Sequence, residues 1–431
     1  MKKGKYAIYI VLSVFICFIS CQRYRGTGAD DRIFGVYRLY PENVSSPGLP
    51  PQGYEPVYIS HYGRHGSRFI LYDSQYVYVN NILKKAYEEG MLTKKGCRLY
   101  RKFKTLYPQL EGKAGILTPL GCRQQERIAD RMYDNYSSLL DSNAVVMAFS
   151  TGTQRTVESM ISFCGALKKR SPYIDIDTSS ALCHTKYINP YSSKSGVATA
   201  EDLEYKSLQA WWRPEFDEFC KKTVDPVPFI KRLFKDCNYV QENFSVINFM
   251  RDLYSVAIHL PGVPCKDDLM SVFSKDELVS LAKCDNYTFY VEKGPWPAGG
   301  GRNWRLSAFI LEDIIEKAVT DMYSGDVSAR LRFGHDGCIM ALLALMKIEP
   351  WCQSTMESGR FWNVWNVSDI PMASNLYFVF YESPDSFPIV RALHNEVPVK
   401  LPLEEVYGGF YKTRDFIEYF RELYLVNKNN L

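Results

Sequence analysis

Short apolar runs alternate with longer helical patterns over much of this chain. Val57-Tyr58-Ile59-Ser60 is β-prone and alternating, which predicts a strand, and Gly63 and Gly66 predict the turn at its C-terminal end. Residues 145–149 (Val-Val-Met-Ala-Phe) predict a second strand, followed by a polar turn and a helix whose first turn carries Arg155. A third strand over 328–333 leads into the apolar, helix-prone run Cys338–Met346. Residues 376–381 and 389–393 read as a late hairpin, and Asp415–Leu425 has the periodicity of a closing helix. In Leu117-Thr118-Pro119-Leu120-Gly121 a threonine N-cap precedes proline at the first helical position.

The blocks 51–165 and 306–431 therefore predict an α/β fold, with one mostly parallel sheet and helices on both faces. Residues 166–305 carry helical patterns over Ala200–Trp212, Val227–Lys235 and Val246–His259, which predicts an inserted α-helical subdomain. That insertion ends in the glycine-rich run Gly294–Arg305, which reads equally as a flexible lobe boundary or as a segment bringing Arg302 or Arg305 to a polyanion. It is not a P-loop, since no Gly-Lys-Ser/Thr follows.

The chain start changes the picture. Lys2, Lys3 and Lys5 precede an apolar stretch from Tyr6 to Ile19, too short for a membrane span and typical of a signal peptide over 1–20. Phe18-Ile19-Ser20-Cys21 resembles a bacterial lipoprotein cleavage site, with Phe18 where leucine is usual. It predicts export and a lipid anchor on Cys21 in a Gram-negative type of cell envelope, with 21–50 as a tether. The formal charge of +4 falls to +1 without residues 1–20, so nucleic acid is not an expected partner. The cysteines are irregularly spaced, with no Cys-x-x-Cys, and support neither a zinc site nor a redox motif. With no spaced cluster of histidines and carboxylates, no metal or other cofactor is expected. The cationic runs at 168–170 and 221–222 read as solvated faces, and His184, His259 and His394 carry no signal.

The candidate chemistry lies at the end of the first strand, in Arg64-His65-Gly66-Ser67-Arg68. An imidazole between two guanidiniums is a poor core element unless anions accompany it. Phosphate fits: arginine meets its oxygens in bidentate fashion, and a neutral histidine can attack phosphorus. His61, four residues earlier, reads as a hydrogen-bonded turn residue.

This run resembles the signature of the histidine phosphatase superfamily. Two later segments extend the resemblance. Ser150-Thr151-Gly152-Thr153-Gln154-Arg155 is similar to the family's second arginine segment. Leu331-Arg332-Phe333-Gly334-His335-Asp336-Gly337 is similar to the His-Asp segment of the branch containing acid phosphatases, phytases and multiple inositol polyphosphate phosphatases. Leu117-Thr118-x-x-Gly121, with Gln124 and Gln125, matches a helix opening between them.

The resemblance implies that His65 is the nucleophile and that Arg64, Arg68, Arg155 and His335 bind phosphate. It implies that Asp336 is the proton donor and that the helical insertion roofs the site and sets substrate preference. The substrate it implies is a phosphate monoester, most like an inositol polyphosphate. Two departures bear on this: His335-Asp336-Gly337 stands where the inositol polyphosphate phosphatases carry His-Ala-Glu, and Phe69-Ile70 replaces a common proline. A general acid phosphatase for sugar or nucleoside phosphates is the alternative enzyme. A lipoprotein that binds phosphate ligands on a retired phosphatase fold is the alternative of another class.

Overall fold

A computed structural model describes residues 31–141, 143–265, 267–357 and 359–431. Cys21 and the expected signal peptide lie outside the described residues, as does the Arg302 side chain. Among the described residues nine strands form one sheet: β1 (Glu55–Arg64), β2 (Val145–Ser150), β3 (Asp175–Ser179), β4 (Ala329–Gly334), β5 (Asn375–Ser383), β6 (Ser386–His394), β7 (Val397–Pro398), β8 (Glu405–Tyr407) and β9 (Phe410–Lys412). The order is β3-β2-β4-β1-β5-β6-β9-β8, with β7 on β6. β3, β2, β4 and β1 are mutually parallel, whereas β5 runs antiparallel to β1 and opens the late hairpin.

Alternation along each strand builds two cores, one on each face. Ile59, Val146, Ala148, Leu331 and Phe333 pack against the helices Pro119–Asn135 and Gln154–Arg170. Tyr58, Tyr62, Phe378 and Phe380 face the other way, toward the helices Ala308–Ser324, Asp336–Leu345 and Thr413–Asn429. Every residue from Gly337 to Leu345 is buried, as expected of a helix apolar on all sides.

Several expectations change. β3 lies within the stretch assigned to the insertion, so the sheet continues past residue 165 to Ser179. The helical layer is not one sequence block: Tyr76, Leu83, Leu99 and Phe103 from two early helices share a core with Phe229, Leu233, Phe249 and Leu253. The pattern over 200–212 yields a helix only over Ala200–Glu204, and a new one starts at Arg213, where Pro214 suits the first turn. The expected tether is partly folded: Asp31–Tyr37 forms a 3-10 helix, and Val36, Arg38 and Tyr40 are buried against the body. His61 is a strand residue, not a turn residue, and its Nδ1 has no hydrogen-bond partner among the described residues.

Candidate active site

Strand register brings distant residues together. In the parallel sheet Arg64 pairs with Gly334, and Ser150 pairs with Phe333. The residues just beyond these ends, His65, Thr151 and His335, therefore emerge side by side at the carboxyl edge, where open α/β sheets place ligands. The rings of His65 and His335 lie 5.8 Å apart, edge to face. His335 Nε2 is 3.3 Å from the Thr151 hydroxyl.

His65 is oriented by its own loop. Its Nδ1 lies 2.9 Å from the Gly66 carbonyl oxygen. A carbonyl only accepts, so Nδ1 carries the hydrogen and Nε2 keeps its lone pair. Burial, then the charges of Arg64, Arg68, Arg155 and His335, hold its pKa well below the ordinary value. The imidazole is thus neutral, and its Nε2 keeps an unprotonated lone pair.

The arginines differ in how they are held. Arg64 is fully buried; its Nη1 donates to the carbonyls of Val36 at 2.7 Å and Ile370 at 2.9 Å. Its Nη2 lies 2.8 Å from Asp336 Oδ2. Arg68 donates to its neighbour's carbonyl, at Phe69, and reaches the Tyr37 hydroxyl at 3.3 Å. Arg155 is the second residue of its helix, and its Nε is buried without a partner among the described residues. Burial and the nearby guanidiniums bring Arg64 and Arg155 down to about 10. An excess of buried positive charge facing a neutral imidazole is an anion site in electrostatic terms.

His335 is the N-cap residue and Asp336 the first residue of the apolar helix. Burial and Arg155 lower His335 to about 3. Burial alone would raise Asp336, but Arg64, Arg68, the Gly337 N–H and His335 outweigh it and leave about 2. Its Oδ1 accepts from the Gly337 N–H at 2.8 Å. All six residues singled out by sequence, Arg64, His65, Arg68, Arg155, His335 and Asp336, converge here. Arg305 turns instead toward Gly301 and Trp304.

A supporting ring was less legible. The Ser67 N–H donates to Gln124 Oε1 at 2.8 Å, Gln125 donates to the Arg64 carbonyl at 2.8 Å, and the Gly66 N–H donates to Ser159 at 3.1 Å. Thr118 caps its helix through the Gly121 N–H and also donates to the Ser67 carbonyl. A Cβ on Gly66 would lie 2.2 Å from the Gly121 carbonyl oxygen, so loop and helix meet at backbone distance. The Leu-Thr-x-x-Gly opening, which as a pattern spoke only for the fold, thus clamps the histidine loop.

The model of the histidine phosphatase superfamily, branch 2, matches residues 63–395. The chain belongs to this family. Solved structures similar to it include the Bifidobacterium longum multiple inositol polyphosphate phosphatase complexed with phosphate, at TM-score 0.73 and 17% identity, covering 90% of this chain and 97% of that one. The phytase from D. castellii aligns at TM-score 0.68 and 14% identity, covering 91% and 85%. Hafnia alvei phytase in its apo form aligns at 0.53 and 14%, covering 88% and 98%. No curated protein sequence matches. At these identities the structural likeness speaks for the fold, and the family membership supports phosphatase activity.

Proposed function

We propose that this histidine phosphatase is an exported phosphomonoesterase that works through a phosphohistidine, with inositol polyphosphates as substrates. The observation that carries the reaction is the level strand ends, which set a neutral imidazole with a free Nε2 among three guanidiniums and opposite a carboxyl. His65 Nε2 attacks phosphorus, the N–P bond forms and the P–O ester bond breaks. Asp336 gives its proton to the departing oxygen. Water then attacks phosphorus, Asp336 takes its proton, the N–P bond breaks and inorganic phosphate leaves. Arg64, Arg68, Arg155 and His335 hold the non-bridging oxygens, the electrostatic contribution expected to dominate phosphoryl transfer.

The low pKa of Asp336 means that the free protein holds it as a carboxylate. A phosphate dianion placed among the same arginines offsets their field and adds negative charge beside the carboxylate. Both effects raise its pKa, so substrate binding favours the protonated carboxyl, which takes its proton from solvent.

The inositol polyphosphate assignment rests on the similar structures. The Asp336-Gly337 ending favours the second reading, a general acid phosphatase. A phosphate-release panel with inositol hexakisphosphate, sugar phosphates and nucleotides separates the two. A retired, purely binding protein would release phosphate from none. For export, labelled fatty acid should enter the native protein and not Cys21→Ser; a mature N-terminus elsewhere overturns the anchor.

A further inference from the structure

One buried cation beside the acid has no part in the reaction as derived so far. The helix Lys275–Lys293 ends against the first turn of the helix Asp336–Leu345, and Lys293, its last residue, is 7% exposed. Its Cε lies 2.9 Å from where a Cβ on Gly337 would sit, so the missing side chain of Gly337 is the space that the lysine fills. Its Nζ stands 3.6 Å from the centre of the Tyr191 ring. Lys206 approaches the same ring at 5.0 Å and donates to the Tyr191 carbonyl at 2.7 Å. Neighbouring Glu292 is paired with Arg213 at 3.0 Å, and Lys293 makes no ion pair among the described residues. An ammonium buried without a paired carboxylate is costly, and the ring face offsets only part of that cost.

We propose that Lys293 is a positioning residue for Asp336: its ammonium, packed on Gly337, helps set the pH at which the acid gives up its proton. The inference rests on the proposed reaction. The groups facing Asp336 are Arg64, Arg68, Arg155, His335, the Gly337 N–H and Cys338. Those facing Lys293 are Glu292, Cys338, Asp336, Lys206 and Tyr191. Lys293 sits beside Gly337 at the end of a helix that carries none of the six pocket residues. Its charge then limits how far the carboxyl pKa can climb, and so keeps the carboxylate available as the base for the second step.

The test compares Lys293→Met, which keeps length and removes charge, with Lys293→Arg, which keeps charge. Both are made in the full chain. The Asp336 carboxyl is followed by selective carbon-13 labelling of aspartate, its signal identified by loss in Asp336→Asn. Sulfate is bound throughout, since its charge is constant over the range. The Lys293→Met carboxyl should titrate higher than wild type by roughly 0.5–1 pH unit, as expected for losing one nearby charge in a partly buried setting. The alkaline limb of turnover on an alkyl phosphate should move up with it, while Lys293→Arg retains wild-type values. The first half-reaction with an aryl phosphate, which needs little protonation, should not move. An unshifted carboxyl in Lys293→Met overturns the inference, and so does an equal shift in Lys293→Arg, which would make packing the cause. A wild type that hydrolyses no monoester removes the functional reading instead, and the carboxyl titration still decides the charge coupling by itself.

Discussion

Strand β1 and the residue just after its end carry two neutral histidines four residues apart, in two different pockets. His61 lies in the core among Phe163, Phe333 and Tyr377, with ring centres 5.5–6.2 Å away. Burial, then Arg332, brings it to about 3. His65 lies at the strand end, depressed first by burial and then by Arg64, Arg68, Arg155 and His335. The two shifts have the same sign and the same leading cause. What differs is the orientation of the polar atoms. His61 Nδ1 finds no partner among the described residues, whereas His65 Nδ1 is engaged by Gly66 and its Nε2 keeps a free lone pair. A perturbed pKa is therefore a poor locator of a site without the geometry of the groups that cause it.

The largest expected effect comes from His65→Ala, which should lower turnover by roughly four or more orders of magnitude, because the covalent route is lost. Acid-labile, alkali-stable phosphate should be trapped on wild type and absent from the variant. Near-normal turnover would erase the contrast between the two pockets.

Asp336→Asn comes next, with a loss of about 10²–10⁴ on alkyl phosphates, the usual contribution of a general acid. Asparagine still accepts the Gly337 N–H, so folding should be preserved. Burst kinetics with an aryl phosphate should show a smaller loss in the first half-reaction. Equal loss on both substrate types would reject the proton-donor role.

Gln124→Ala leaves the buried Ser67 N–H without its acceptor. It should cost about 1–3 kcal/mol in stability, read from urea midpoints, together with a smaller fall in kcat than either catalytic change. A kcat as low as that of His65→Ala would move Gln124 from support to chemistry.

The smallest effect on activity is expected for His61→Leu, whose turnover should stay near wild type. Its signature is in stability. Because the folded pKa of His61 lies below the unfolded one, the unfolded chain takes up a proton first as pH falls. The contribution of the neutral imidazole is complete above about pH 6.5 and declines toward pH 3, at about 1.4 kcal/mol per pH unit. Urea midpoints of His61→Leu should fall less steeply than those of wild type between pH 6.5 and 4. Parallel slopes would show that His61 is not buried neutral.

Strands β1, β2 and β4, the late hairpin of β5 and β6, the closing helix and the six residues of the pocket were legible in the sequence, whereas β3 and the short strands β7, β8 and β9 were not. The reason is local: period-two and period-3.6 patterns, glycine turns and caps are written within a few residues of where they act. The run Arg64-His65-Gly66-Ser67-Arg68 named its own chemistry, because only an anion makes that cluster affordable. Tertiary structure alone decided which distant pieces meet. The register of β1 on β4 sets Asp336 against Arg64, and the close approach of Gly66 to Gly121 turns a helix cap into a clamp on the histidine loop. The two early helices join the helical layer, and residues 31–40 fold onto the body, where the Val36 carbonyl holds Arg64. None of these contacts leaves a pattern in nearby sequence, because each depends on the shape of a partner tens to hundreds of residues away. Lys293 is the clearest case: it reads as an ordinary last-turn lysine at a helix end, and becomes a buried charge beside the acid only because Gly337 leaves room for it.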